Sequence, residues 1–197
     1  PKGRGKAVQM SPVKECALKH GIEVYQPLKI REEDSIAYVK KYAPEIIIVA
    51  AFGQILPKEI LELPKYGCVN VHASLLPKYR GAAPIQWAVI NGDRVAGVTT
   101  MRMDTGLDTG DMIEKSEVIL EIDETGGSLF DRLAVEGAKL CVHTMQEIEN
   151  GTAVYTKQEE SEATHVGIIQ KQMGNIDWKK SAVSIERLIR GLNPWPS

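Results

Sequence analysis

Asn70 and His72 stand two positions apart in the run N-V-H-A-S-L-L-P-K-Y-R-G-A-A-P-I-Q, where Cys68, Val69 and Val71 mark a buried strand. Side chains alternate faces along a strand, so the amide and the imidazole point one way and Val69 and Val71 the other. Left without partners inside a core, two such groups would cost about 1–3 kcal/mol each. They must therefore find partners there or face a cleft at the strand's carboxyl end, where open α/β sheets bind ligands. A core histidine satisfied by its neighbours, beside an asparagine that caps a turn, is the plainer alternative. Two polar side chains on one face at that end favour the cleft, where a carboxylate that orients or charges His72 would complete a set able to transfer protons.

The loop D-T-G-L-D-T-G-D offers that carboxylate twice, at Asp104 and Asp108. A calcium loop needs D-x-D-x-D-G and a distal Glu, which this stretch lacks. An aspartic-protease dyad needs two carboxylates brought together from separate lobes or chains, which two copies on one loop cannot supply. What remains is a turn rich in Asp and Gly, or a loop that sends one aspartate to His72. At the start of the chain, Lys2, Arg4 and Lys6 alternate with glycines but fail the Walker pattern, because Ala7 follows Lys6. They are either solvated charges or a flexible set of phosphate contacts, with Arg4 able to fork onto two oxygens. His20, His143 and His165 are scattered surface positions, and no metal site is expected.

These groups must be held by a scaffold of ordinary soluble composition, 43% hydrophobic and 25% charged over 197 residues, which fits one domain, or one domain plus a piece of another. A net charge of -2 leaves nucleic-acid binding to a local basic patch. Three separated cysteines without C-x-x-C suit a reducing compartment, so a cytoplasmic location is expected, and no apolar run reaches membrane length. Ser11-Pro12 and Gly21 bracket a helix, residues 22–26 read as a short strand, and residues 32–42 as a second helix ended before Pro44. E-I-I-I-V-A-A-F-G at 45–53 reads as a strand covered on both faces. A helix at 57–61, the strand 68–73 and a helix at 83–91 follow. This alternation predicts an α/β fold: an open, largely parallel, Rossmann-like sheet with helices on both faces. Strands are expected at 98–103 and 112–120. A long helix over 128–150 is expected to bury Phe130, Leu133, Ala134, Gly137, Cys141, Met145 and Ile148. A last helix at 182–192 runs into N-P-W-P-S.

Taken together, N-V-H-A-S-L-L-P, R-G-A-A-P-I-Q, M-D-T-G-L-D-T-G-D, F-G-Q-I-L-P, S-P-V-K and G-R-G-K resemble the folate-dependent formyltransferases over nearly the whole chain. R-G-A-A-P-I-Q, G-R-G-K and N-P-W-P are similar to the branch of that family that acts on methionyl-tRNA. The resemblance implies transfer of a formyl group from 10-formyltetrahydrofolate to the amino group of methionine on initiator tRNA, by a monomer, without metal. It implies a catalytic triad of Asn70, His72 and Asp108. It assigns folate contacts to Ser74, Leu75, Leu76 and Pro77, and to Phe52, Gly53, Gln54, Ile55 and Leu56 at the border of the pterin pocket. It carries Lys2, Arg4 and Lys6 over to tRNA contact. In that chemistry the formyl oxygen becomes an oxyanion to which Asn70 and protonated His72 can donate, while Asp108 aligns or charges the imidazole.

The family also has a first strand, a turn and a helix ahead of the basic loop, so the sheet is expected to lack that strand here. Residues 1–180 are read as the catalytic domain, and 181–197 as a helix and linker toward a β-rich domain. Two alternatives stand: a formyltransferase for a small amine such as a nucleotide sugar, and a non-catalytic tRNA-binding fragment.

Overall fold

The computed structural model describes residues 10–196. Lys2, Arg4 and Lys6 therefore lie outside the described residues. Helix α1 (Pro12–Lys19) starts as its sequence dictates, with Pro12 in the first turn and the Ser11 hydroxyl accepting from the Lys14 N–H. Helix α2 (Glu33–Lys41) follows. The expected strand at 22–26 does not form, since no strand lies beside it to pair with among the described residues. Tyr25 instead stacks on Tyr38 of α2, with ring centroids 3.8 Å apart.

The central sheet has the order β1 (Ile47–Val49), β2 (Cys68–His72), β4 (Val95–Arg102), β5 (Met112–Ile119). Strands β1 and β2 are adjacent and parallel, with Val49 opposite Asn70. The other two pairings are antiparallel, so the sheet is mixed rather than largely parallel. The reason lies in the connection after β2. Residues 73–83 intervene before helix α4 (Pro84–Asn91), so the chain travels out and then back, and β4 begins near the end that β2 left, with His72 opposite Thr99. A helix between two strands makes a parallel crossover only when the connection returns to the end at which the first strand began, and this one does not. Ile48 on β1 is 37% exposed, so the expected cover on both faces is incomplete among the described residues.

Helices do lie on both faces. Helix α5 (Gly126–Asn150) and α4 pack Leu129, Leu133, Ile85 and Val89 against Val98 and Val118. Gly137 lets α5 approach closely, since a Cβ there would sit 3.2 Å from Val71 Cγ1. On the opposite face Cys68 meets Ile60 of helix α3 (Lys58–Leu61), and Leu76 packs on Met101 and Met112. The buried stripe of α5 differs from the expected one: Leu129, Leu133, Gly137, Thr144 and Ile148 are inside, while Phe130 is 55% exposed and Ala134 is exposed. Thr144 escapes a search for apolar residues because it is polar, yet it is fully buried. It lies 2.9 Å from Thr100 Oγ1 and donates to Glu114 Oε2 at 2.5 Å, which satisfies its hydroxyl. Helix α6 (Ala182–Gly191) begins at Ser181 and packs on α4. No described helix is long and apolar enough to cross a membrane.

Candidate active site

Strand β2 carries Asn70 and His72 on the face away from α5, as its alternation requires. His72 is 6% exposed and Asn70 half-buried. Beyond the strand the chain folds back over this face and is pinned there. Thr99 Oγ1 donates to the Ser74 carbonyl at 2.7 Å and accepts from the Leu76 N–H at 3.1 Å. The Ser74 hydroxyl donates to the Lys78 carbonyl at 2.6 Å. This brings the Tyr79 carbonyl to 2.9 Å from His72 Nε2. A carbonyl only accepts, so Nε2 carries a hydrogen, and the tautomer of neutral His72 is fixed with its lone pair on Nδ1. That free nitrogen lies 3.8 Å from Asp108 Oδ1, at ion-pair range rather than in a direct hydrogen bond.

The two aspartates of the repeated D-T-G have different surroundings. Asp104 Oδ1 accepts from the Gly106 N–H at 2.9 Å and from Thr109 Oγ1 at 2.6 Å, closing the loop on itself. Asp108 faces His72 with its side chain 12% exposed. Its Oδ2 accepts from the Gly81 N–H at 2.8 Å, and its backbone is left-handed at φ +55. Gly81 lies in β3 (Arg80–Gly81), which pairs in parallel with β6 (His165–Val166). Arg80, 1% exposed, forks onto Glu160 through two bonds of 2.9 Å. That hydrogen bonding holds the Glu160 carboxyl below the usual carboxylate range. Arg80 also donates through Nε to Gln158 Oε1 at 3.0 Å.

The Asn70 amide has no hydrogen-bond partner among the described residues, and it is not fully enclosed. Residues 52–56 follow β1 and so sit at the same end of the sheet as His72. Phe52 and Ile55 there are 42% and 86% exposed. Gln54 accepts from the Ile30 N–H at 2.9 Å, and Leu56 is buried against Ile30 and Ile60. Ser74, Leu76 and Pro77 turn their side chains inward, leaving backbone to offer a ligand, while Leu75 lies over Gly97. Two cavities of about 320 and 450 Å³ flank Tyr79, but neither is lined by Asn70, His72 or Asp108. Burial pushes the Tyr79 phenol up to about 12, and the Cys68 thiol to about 11, so neither ionises near neutral pH. Gln158 and Glu160 carry no sequence signal of their own, and Arg80, although it opens R-G-A-A-P-I-Q, is given no role by that motif. A buried arginine in a loop reads as a solvated charge until its partners, 78 and 80 positions away, are known.

Residues 1–145 match the family model described as formyl transferase, and residues 168–197 match that of the formyl transferase C-terminal domain. Over all 197 residues the chain is 72% identical to a methionyl-tRNA formyltransferase of Agathobacter rectalis. It is 56% identical to one from Clostridioides difficile. It spans 64% of the length of each of those relatives. Among solved structures, a 4-N formyltransferase from Francisella tularensis superposes with a TM-score of 0.75 at 21% identity, over 93% of this chain and 73% of that one. WlaRD, a sugar 3N-formyl transferase crystallised with dTDP and 5-N-formyl-THF, superposes with a TM-score of 0.73 at 23% identity, over 91% and 62%. At those identities the likeness shows the fold.

Proposed function

Because the chain belongs to the formyl transferase family, we propose that it moves a formyl group from 10-formyltetrahydrofolate to the α-amino group of methionine on initiator tRNA. The relatives at 72% and 56% identity support the tRNA substrate over a sugar, since the sugar 3N-formyl transferase WlaRD is only 23% identical. The folate named with WlaRD supports the donor. The observation that carries the chemistry is the fixed tautomer of His72, which leaves one nitrogen, Nδ1, free to take a proton beside Asp108.

The neutral amine attacks the formyl carbon, a C–N bond forms, and the carbonyl oxygen becomes an oxyanion. The Asn70 amide, without a hydrogen-bond partner among the described residues, donates to that oxygen. The amine's proton passes to His72 Nδ1, where the Asp108 carboxylate faces the new charge. It then leaves with the folate nitrogen as the old C–N bond breaks, so no proton is left over. Residues 52–56 and 74–77 border the donor, the latter through backbone groups. Lys2, Arg4 and Lys6 meet tRNA phosphates. In this reading residues 1–180 carry catalysis, 181–197 lead toward a β-rich domain, and the enzyme acts as a cytoplasmic monomer.

The test is formyl transfer by the full-length protein from 10-formyltetrahydrofolate to methionyl-tRNA, run beside a nucleotide amino sugar. Formylation of the tRNA alone, abolished in His72→Ala, is the expected result. Preference for the sugar would move the enzyme to the other branch of the family, and tRNA binding without turnover would leave only a binding protein.

A further inference from the structure

We propose that Gln158 is a positioning residue for Asp108, with buried Arg80, paired to the exposed Glu160 carboxylate, setting the direction in which its amide points. The proposal rests on the assignment of Asp108 as the partner of His72. Asp108 stands in a left-handed conformation that non-glycine residues adopt only when their surroundings impose it, at a cost of order 1–3 kcal/mol. Two carbonyls of this loop, those of Asp108 and Gly110, accept from one group, Gln158 Nε2, at 2.7 and 2.8 Å. A single amide nitrogen thus ties together the backbone on either side of Thr109.

A glutamine amide could equally present its oxygen, and the two carbonyls would then be repelled. Arg80 removes that choice. Its Nε can only donate, so the Gln158 atom at 3.0 Å must be the oxygen, and the nitrogen is turned to the loop. Arg80 is itself held by the forked bonds to Glu160 and is 1% exposed, so its direction is fixed by packing. The neighbour of Arg80 finishes the device: the Gly81 N–H holds Asp108 Oδ2 at 2.8 Å. Asp108 is therefore held at its carboxylate by β3 directly and at its backbone by Gln158, which Arg80 of the same strand orients. Loss of the Gln158 grip would let the carboxylate drift from His72 Nδ1, and displacements near 1 Å can cost roughly 10²-fold in rate.

The test is a double-mutant cycle in the full-length protein with Gln158→Ala, Gln158→Glu and Asp108→Asn, reading kcat and KM for both substrates beside the melting temperature. Gln158→Glu keeps the size and the Arg80 contact but places an acceptor against two carbonyls, so it should lose rate as Gln158→Ala does. If the alanine variant does not fold, the cycle is completed with the glutamate one. Expected is a fall of roughly 10²-fold in kcat with KM near the wild-type values, and little further loss when Gln158 is changed in the Asp108→Asn background. An unchanged kcat in the Gln158 variants, with Asp108→Asn crippled, overturns the proposal and leaves the triad standing. The same factor lost in both backgrounds also overturns it, because Gln158 would then act on the structure at large. An Asp108→Asn enzyme at full rate overturns the triad assignment instead.

Discussion

At the level of single residues the site divides by whether each polar group already has a protein partner. His72 has one nitrogen committed to the Tyr79 carbonyl and one left over, and the Asn70 amide has no partner among the described residues. Removing a group without partners leaves no orphan behind, so Asn70→Ala should melt at the wild-type temperature. If the amide meets charge that develops only during reaction, the same variant should lose roughly 10²–10³-fold in kcat with little change in KM, read by single-turnover formylation. A lowered melting temperature with an intact rate per folded molecule would return Asn70 to a structural role. The shared face of Asn70 and His72 was legible in the sequence, because strand alternation is a local rule. Which aspartate faces His72 was not settled by the residues themselves: Asp104 and Asp108 sit in the same tripeptide, and it takes the structure to show Asp104 bonded to its own loop and Asp108 beside His72.

Among the elements, one of the two shortest matters most to the site. Strand β3 is two residues long, yet its Gly81 sits at φ +100, and a Cβ there would lie 2.6 Å from the Val166 carbonyl oxygen. Gly81→Ala should therefore push β3 off β6 and cost about 1–3 kcal/mol of stability in urea unfolding. Activity should fall with it, because the same N–H holds Asp108; wild-type stability would show that the backbone yields without strain. Of the longer elements, α1, α2, α4 and α6 lie where caps, prolines and glycines put them. The mixed pairing of the sheet and the inward face of α5 depended instead on tertiary partners: the path of residues 73–83, and the Thr100–Thr144–Glu114 chain that makes a polar side chain a core one.

For the molecule as a whole, the pair that joins the two ends of the site also gives stability a pH dependence. Arg80 is buried and always charged, and its hydrogen bonds hold the exposed Glu160 carboxyl below its ordinary value. A carboxyl depressed in the folded state contributes stability that is present above its unfolded pKa, about 4.3, and lost as pH falls through the lower folded one. Glu160→Gln should thus melt below the wild type at neutral pH, with the gap closing on acidification past about pH 4. A gap that stays constant across that range would mean the fork acts through shape rather than charge. The α/β class and the helices on both faces could be read from the sequence. That residues 158–166 return to build the site could not, because nothing local marks a glutamine or a glutamate as the partner of something 80 positions earlier.

That return sets an order of assembly. Gly81 and Asp108 are 27 positions apart, while Arg80 and Glu160 are 80 apart. Closing the longer loop costs only about 1 kcal/mol more in chain entropy, so the finished fold hardly registers the difference. The search for it is what slows, as distant contacts slow folding generally. On a ribosome the delay is literal. The Asp108 loop emerges 50 residues ahead of Gln158, so for that interval a nascent chain holds His72 and its aspartate without the Gln158 grip on the loop.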